Sequence, residues 1–307
     1  MGDELGGYKK RMERRKKIHY VGPGMSLQHY YIEDRIGEGR VANIFVAKDT
    51  TTGERVSIKA VRPETYIDRR RDELIERFRR EAEILSEYHH PNLINLRYFG
   101  EDGRTLFYAF DYIDGRDLSE LIRACKKQNK YFGQERAVSM AITIASVLEG
   151  LHKKGIFHRD LKSENIMVED PDRFILIDLG YSKITEDDPH LTKLGDILGT
   201  AEFMPPEELS GKPFDARGDI YSLTTILYEA LCNRTPFVLE GGNDSLINLV
   251  ARKRDKKAPD IKIFNPNLDS KLNVVVMKGL EKDPEKRYQD CEEMITDLEE
   301  VQKRIAA

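Results

Sequence analysis

Four polar side chains in the middle of the chain have the chemical types that phosphoryl transfer needs. Asp160 can accept the proton of a hydroxyl group, and Lys162 can neutralise the charge of a phosphate in transfer. Asn165 and Asp178 offer amide and carboxylate oxygens, the ligands that Mg²⁺ prefers. The simplest alternative is a polar turn around two structural aspartates. The presence of all these groups at this spacing favours the catalytic interpretation.

A second candidate pair comes earlier, on a predicted strand and a predicted helix. Lys59 lies in an apolar strand, where an ammonium group is costly unless it meets an anion. Three apolar residues at helical spacing share one face with Glu81: Leu74, Phe78 and Leu85. A carboxylate on that apolar face needs a cationic partner. We therefore predict a Lys59–Glu81 ion pair; the alternative is that Lys59 points outward from a half-exposed strand.

Gly37 and Gly39 lie between two segments with strand-like patterns. Glycine lets a backbone approach phosphate oxygens closely and direct its N–H groups at them. Taken alone, the pair is better explained by a plain tight turn. No helix is predicted directly after it, which argues against the glycine-rich loop of a dinucleotide-binding fold.

Two regions of unlike pattern surround these residues. From Tyr30 to Asp111 the pattern predicts strands, with one long charged helix over 67–88. After Asp117 apolar residues recur at helical spacing. The predicted strands are 41–48, 55–61, 96–100 and 105–111, and the helices of the second region include 135–154, 219–232 and 291–305. We predict an α+β chain with a small β-rich N-terminal lobe over 27–111 and a larger helical lobe over 112–307.

Composition excludes several functional classes. An apolar content of 39% excludes disorder throughout the chain. Lys and Arg number 50 against 54 Asp and Glu, so no overall basic field favours binding to nucleic acid or to a membrane surface. The 3 cysteines form no CxxC pair, which indicates a reducing, cytoplasmic compartment. The longest uncharged run, between Arg136 and Glu149, contains hydroxyl side chains and predicts a buried helix rather than a membrane span.

Residues 1–26 differ from the rest in composition, being rich in glycine, lysine and arginine with little apolar periodicity. The simplest interpretation is a flexible, solvated tail that ends near the breaker at Gly22, Pro23 and Gly24. The alternative is a segment that docks on an acidic partner or an anionic surface.

The motifs occur in the order typical of the protein kinases, and the chain resembles that family from Tyr30 to Ile305. In chain order they are Gly37 with Gly39, Lys59, Glu81, His158–Asn165, Asp178–Gly180, Gly199 with Thr200, Pro205–Glu207, Asp219 and Arg287. The resemblance implies a two-lobed protein-kinase-like fold. Lys162 and Thr200 are typical of serine/threonine members, and the compact loops resemble those of bacterial members.

The resemblance implies transfer of the γ-phosphate of ATP to serine or threonine hydroxyls of protein substrates, with Mg²⁺, or alternatively Mn²⁺, as the ion. The implied catalytic residues are Asp160, Lys162, Asn165, Lys59, Glu81 and Thr200, and the metal ligands are Asn165 and Asp178. The implied ATP contacts are Ile36, Gly37, Gly39, Ile44, Ser57, Lys59, Phe110, Asp111, Ile113 and Met167. The physiological substrate and homodimerisation stay open.

Two structural contacts are also implied by the resemblance. Glu207 and Arg287 pair to anchor the activation segment, and Asp219 holds the catalytic loop through its main-chain N–H groups. Four positions depart from the family pattern, and none of them removes a catalytic group: Ala42, Ser57, Leu179 and Pro205.

Arg159 precedes the catalytic aspartate, and in kinases of this type a phosphorylated residue of the activation segment usually neutralises that arginine. Asp196 offers a permanent negative charge, and Thr192 is the candidate for autophosphorylation. We expect partial basal activity from an Asp196–Arg159 contact and a further gain when Thr192 is phosphorylated. The alternative is that Asp196 is a solvated loop acid.

Two alternative functions would require residues that differ from those of this chain. A pseudokinase acting as a nucleotide-binding scaffold would lack Lys59, Asp160 or Asp178, and all three are present. A small-molecule phosphotransferase of related fold generally lacks the corner formed by Pro205, Pro206 and Glu207, which this chain has.

Overall fold

The computed structural model describes residues 20–169, 171–179, 200–238 and 245–306. They form two compact units: the first contains the described residues up to His89 together with Ile94–Ile113, and the second contains His90–Leu93 and the described residues from Asp114 onward. The predictions that concern residues 1–19, Gly180, Thr192, Asp196 and Gly199 lie outside the described residues.

An antiparallel sheet of six strands dominates the first unit. Its strands are β1 (Ser26–Leu27), β2 (Tyr30–Glu38), β3 (Ala42–Asp49), β4 (Arg55–Val61), β5 (Leu96–Asp102) and β6 (Thr105–Asp111), in the spatial order β1-β2-β3-β4-β6-β5. The four predicted strands are confirmed, with small shifts at their ends. The turn between β3 and β4 forms because the Asp49 carboxylate accepts the main-chain N–H of Thr51 at 2.8 Å and Gly53 adopts a φ of 79°.

The two faces of this sheet carry different kinds of side chain. Lys59 lies opposite Ile44 on β3 and opposite Tyr108 on β6, and Ser57 lies opposite Phe110. Residues that oppose each other share a face, and alternate residues of a strand do too, so these side chains all project from one side. The other side carries an apolar cluster that includes Ile32, Phe45, Val56, Ile58, Phe107 and Ala109. Candidate nucleotide contacts thus occupy the face that is not committed to this cluster.

The long charged helix begins later than predicted. Helix α1 spans Arg71–Glu87, whereas Pro63–Ile67 forms a 3₁₀ turn. The Asp68 side chain accepts the N–H of Arg70 at 2.8 Å, an alternative to helical hydrogen bonding that keeps 68–70 outside the helix. Glu81 and its three apolar neighbours on the predicted face are all buried, which confirms that face.

The second unit is mainly helical. Its helices are α2 (Leu118–Lys127), α3 (Gln134–His152), α4 (Pro206–Leu209), α5 (Ala216–Cys232), α6 (Leu246–Asp255), α7 (Ile261–Phe264), α8 (Ser270–Gly279) and α9 (Cys291–Ile305). A small antiparallel sheet, in the order β7-β8-β9, comprises β7 (Gly115–Asp117), β8 (Ile166–Glu169) and β9 (Arg173–Leu176). The three predicted helices are confirmed as α3, α5 and α9. Within the described ranges, no helix is long and apolar enough to cross a bilayer.

Candidate active site

The predicted ion pair of the first unit is present. The Nζ of Lys59 donates to both carboxylate oxygens of Glu81, at 2.9 and 2.8 Å. The same ammonium group lies 5.7 Å from the centroid of the Tyr108 ring. Strand β4 directs Lys59 toward α1, and the apolar stripe of α1 directs Glu81 toward the sheet, so the buried Glu81 carboxylate meets the half-buried Lys59 ammonium group.

The glycine pair lies at the β2–β3 turn. The N–H of Gly39 donates to the carbonyl of Ala42 at 2.9 Å, and a Cβ added to Gly39 would lie only 2.9 Å from that same oxygen. Only glycine therefore fits this turn. Arg62, which the sequence analysis did not single out, donates from its Nη1 to the Gly39 carbonyl at 3.0 Å and forms an ion pair with Glu38 at 3.0 Å. Its signal in the sequence was weak, since it follows β4 with no marker of its partner.

The other predicted ATP contacts differ in exposure. Ser57 and Phe110 are buried, Ile44 is half-buried, and Ile36 is 55% exposed. At the end of β6, the Asp111 carboxylate forms an ion pair with Arg97 at 2.5 Å. The remaining two contacts are half-buried: Ile113, where the first unit ends, and Met167, on β8 of the second unit. Their contact with ATP stays a prediction.

Asp219 organises the segment that carries Asp160. Its carboxylate accepts the main-chain N–H groups of His158 at 2.8 Å and Arg159 at 2.9 Å, as the resemblance implied. It also accepts a hydrogen bond from His152 Nε2 at 2.8 Å. Burial alone would raise the pKa of Asp219, but these hydrogen bonds and the nearby imidazoles lower it below its ordinary value. Arg159 has a φ of 65°, a strained conformation that the two bonds to Asp219 stabilise.

His152 is a further residue that the sequence analysis missed. It lies on α3 one helical turn after the fully buried Leu148, so a polar ring at an apolar helix position was the available signal. Its imidazole is enclosed, with a side-chain exposure of 8%, and its Nδ1 lies 3.7 Å from the Sγ of Cys291.

Asp160, Lys162 and Asn165 lie together in the second unit. Lys162 Nζ is 3.5 Å from the Asp160 carboxylate, and the side-chain amide of Asn165 donates to the Asp160 carbonyl at 2.9 Å. Burial raises the pKa of Asp160, and Lys162 only partly offsets it. Burial would lower the pKa of Lys162, but the surrounding carboxylates, Asp160 first, raise it. A carboxylate of raised pKa is a stronger proton acceptor, which suits a general base.

The register of the small sheet brings Asn165 and Asp178 to the same end of two neighbouring strands. Ile166 pairs with Leu176, and the N–H of Ile177 donates to the Asn165 carbonyl at 2.9 Å. His158 Nε2 donates to the Asp178 carbonyl at 2.7 Å. Among the described residues, no three or more His, Cys, Asp or Glu side chains are grouped so that they could hold a metal. One amide and one carboxylate oxygen nevertheless fit an ion that takes its remaining ligands from phosphate and water.

Glu207 and Arg287 form the second predicted ion pair. Both terminal nitrogens of Arg287 donate to the Glu207 carboxylate, at 2.6 and 2.7 Å.

Thr200, proposed as catalytic, is half-buried, and its carbonyl accepts the N–H groups of Phe203 at 3.0 Å and Met204 at 3.3 Å. The contact between Arg159 and a residue of the activation segment stays a prediction, because its partners lie outside the described residues.

Comparison with known proteins identifies relatives. Residues 30–298 match the family model of the protein kinase domain. The chain is 32% identical over 295 residues to the serine/threonine-protein kinase pkn3 of Myxococcus xanthus, covering 92% of this chain and 52% of that protein. It is 29% identical over 269 residues to the serine/threonine-protein kinase PrkC of Bacillus subtilis, covering 88% of this chain and 40% of that protein. The chain therefore spans about half or less of the length of these curated relatives.

Among solved structures, the crystal structure of the PknI kinase domain of Mycobacterium tuberculosis is similar, with a TM-score of 0.68. Sequence identity to it is 20%, and the match covers 92% of this chain and 100% of that chain. At that identity the likeness shows the fold alone, and it confirms the predicted α+β, protein-kinase-like fold. The bacterial origin of these relatives confirms the predicted resemblance to bacterial members.

Proposed function

The chain belongs to the protein kinase family, and we propose that it transfers the γ-phosphate of ATP to serine and threonine hydroxyl groups of protein substrates. The observation that carries the proposal is the arrangement around Asp160. Its carboxylate has a pKa raised by burial and lies beside Lys162, on a segment fixed by the buried Asp219. This arrangement supports removal of a hydroxyl proton by Asp160 and neutralisation of the phosphate by Lys162.

The residues of the first unit bind and orient ATP in this proposal. Lys59, held in place by Glu81, contacts the phosphates, and the backbone near Gly37 and Gly39 covers them. The side chains of Ile36, Ile44 and Ser57 contact the adenine, Phe110 borders it, and the main chain of Asp111 and Ile113 bonds to its edge. Met167, which belongs to the second unit, is also proposed as an adenine contact. The turn at Gly39 supports this role because it keeps the backbone free of a side chain.

We further propose that Asn165 and Asp178 hold the divalent cation, with Mg²⁺ as the ion and Mn²⁺ as a substitute. Oxygen-only donors at two positions fit Mg²⁺, which keeps several waters and phosphate oxygens in its shell. A bound cation would supply charge neutralisation at the phosphates. The main-chain bonds at Asn165 and Asp178 keep both residues oriented for that role.

Protein substrates, a cytoplasmic location and autophosphorylation at Thr192 complete the proposal. A nucleotide-binding scaffold without activity is disfavoured, because the Lys59–Glu81 pair and the Asp160 arrangement are both intact. A small-molecule phosphotransferase is disfavoured by the Glu207–Arg287 pair.

The test is incubation of the purified chain with Mg·ATP and a generic basic protein, followed by phosphosite mapping by mass spectrometry. We expect phosphoserine and phosphothreonine on the added protein and phosphorylation of Thr192. The control is Asp160→Asn, which keeps the shape of the side chain and removes the proton acceptor. Absence of phosphate transfer by the wild-type chain, or equal transfer by the variant, would contradict the proposal.

A further inference from the structure

Lys253 is a buried lysine that the kinase motifs do not account for. It lies on α6, one helical turn after the fully buried Leu249, and is itself 1% exposed. Its Nζ donates to the main-chain carbonyl of Glu202 at 2.6 Å and to that of Met204 at 2.7 Å. The same nitrogen lies 5.4 Å from the centroid of the Tyr221 ring. The ammonium group is therefore enclosed by main-chain oxygens and an aromatic face.

The two carbonyls belong to the segment that connects Thr200 to the Pro205 corner. The carbonyl between them, that of Phe203, accepts the hydroxyl of the buried Ser222 at 3.0 Å. Three consecutive carbonyls thus receive buried side-chain donors from two different helices, α6 and α5. The N–H groups of Phe203 and Met204 bond in turn to the Thr200 carbonyl, so the position of Thr200 depends on this turn.

A lysine at this position is costly for stability. Burial lowers the pKa of Lys253 to about 7, although Glu202, Glu208 and Glu207 favour its charged form. A buried charge contributes little net stability compared with an apolar side chain of similar volume. An aliphatic side chain could fill the same space, but it could not hold two carbonyls in place. A lysine at position 253 therefore indicates a role in fixing the geometry of the main chain rather than in stabilising the fold.

We propose that Lys253 is a positioning residue that fixes the 200–204 segment for the acceptor substrate, so that Thr200 is held for phosphoryl transfer to a hydroxyl. This inference rests on the proposed function, since it assigns this segment to the protein acceptor. Lys253 differs in this from the residues that act on ATP, because its main-chain partners among the described residues are Glu202 and Met204.

The test compares two reactions of the same enzyme: phosphorylation of a peptide, taken from a substrate site found by phosphosite mapping, and hydrolysis of ATP with no peptide present. We expect Lys253→Met to lower kcat/KM for the peptide about 10- to 100-fold, because small displacements of positioning groups have effects of that size. The KM for ATP and the rate of ATP hydrolysis should change by no more than about twofold, since ATP contacts are untouched. Lys257→Met, at an exposed lysine just beyond α6, is the matched control and should behave like wild type.

A loss of both reactions in proportion would indicate a purely structural role and overturn the inference, and so would unchanged peptide kinetics. If Lys253→Met does not fold, Ser222→Ala tests the inference instead. This variant removes the hydrogen bond to the Phe203 carbonyl, which lies between the two carbonyls that Lys253 binds. The same selective loss, smaller in size, is expected there, and unchanged peptide kinetics would overturn the inference. A wild-type chain that phosphorylates no protein would instead contradict the proposed function.

Discussion

Each unit contains one of the two predicted ion pairs, and the two pairs differ in their surroundings. In the first unit, Lys59 meets Glu81 through its ammonium group, and the side chain of Lys59 retains an exposure of 17%. In the second, Arg287 meets Glu207 and has an exposure of 0%. Arg287 also donates to the carbonyls of Glu281 at 2.6 Å, Arg217 at 3.0 Å and Lys282 at 3.1 Å.

This difference indicates that Lys59 can bind a ligand, whereas Arg287 has a structural role. A guanidinium group has five N–H donors, and the bonds of Arg287 to Glu207 and to three carbonyls use all five. Nothing remains for a ligand, so its role is to join the Pro205 corner to the loop before α9. Lys59 keeps part of its side chain accessible, as contact with a phosphate requires. We therefore expect the two pairs to affect different measured properties.

The largest effect on stability is expected from Arg287→Met. Removing the guanidinium leaves the Glu207 carboxylate buried without its cation, which typically costs about 3–5 kcal/mol in the free energy of unfolding. Urea unfolding followed by circular dichroism measures this change. The double variant Arg287→Met with Glu207→Leu is the control and should recover part of the loss, because no unpaired charge remains. A loss under about 1 kcal/mol in the single variant would place this pair with ordinary surface pairs.

The next effect is expected from Lys59→Met, and it concerns activity. The variant should lose at least about 100-fold in kcat for phosphate transfer, the usual cost of removing one preorganised charge that stabilises the transition state. Its unfolding midpoint should shift less than that of Arg287→Met, because both variants leave a buried carboxylate but only Arg287→Met also removes three bonds to main-chain carbonyls. Lys48→Met, at an exposed lysine on β3, serves as the control. Near-wild-type turnover would remove Lys59 from the phosphate site.

The residue pattern by itself predicted one contact, the Lys59–Glu81 pair, whereas the Glu207–Arg287 pair and the Asp219 bonds to main-chain N–H groups were implied only by the resemblance. Glu81 stood at an apolar helix position and needed a cation, which identified Lys59. The bounds of β4 and β6 followed from β-branched and apolar runs between turn residues. The predicted start of α1 was wrong. The Asp68 side chain accepts a hydrogen bond from the N–H of Arg70, and this local bond competes with helical hydrogen bonding.

Contacts to the main chain left no such pattern. Lys253 bonds only to carbonyls in the contacts described above, and a carbonyl is present at every residue, so no partner residue could be read from the sequence. The small sheet was also missed, because β7 has only three residues and all of them are polar or glycine. Strands this short have too few positions for an alternating pattern to be recognised.

The smallest effect concerns Glu208, which follows Glu207 in the chain and forms no ion pair with an arginine in the part of the chain that the structure describes. Its Oε2 is buried and has no hydrogen-bond partner among the described residues. Burial raises the pKa of Glu208 to about 8, and the charges of Asp219, Asp160 and Glu207 add to this, with Arg159 opposing them. The folded chain therefore holds a proton on Glu208 that the unfolded chain releases near its ordinary value of 4.5.

Since the folded state binds the extra proton between these two values, the contribution of Glu208 to stability should fall as pH rises from about 4.5 to 8. Glu208→Gln removes this titration while keeping the size of the side chain. We expect the variant to match wild type near pH 5 and to exceed it by about 1 kcal/mol or more at pH 8, since each unit of pKa difference is worth about 1.4 kcal/mol before solvent penetration reduces it. Urea unfolding of both proteins at the two pH values measures the difference. A difference in unfolding free energy that is the same at both pH values would contradict the prediction. It would mean that Glu208 is ionised in the folded chain and paired with a cation, as Glu207 is paired with Arg287.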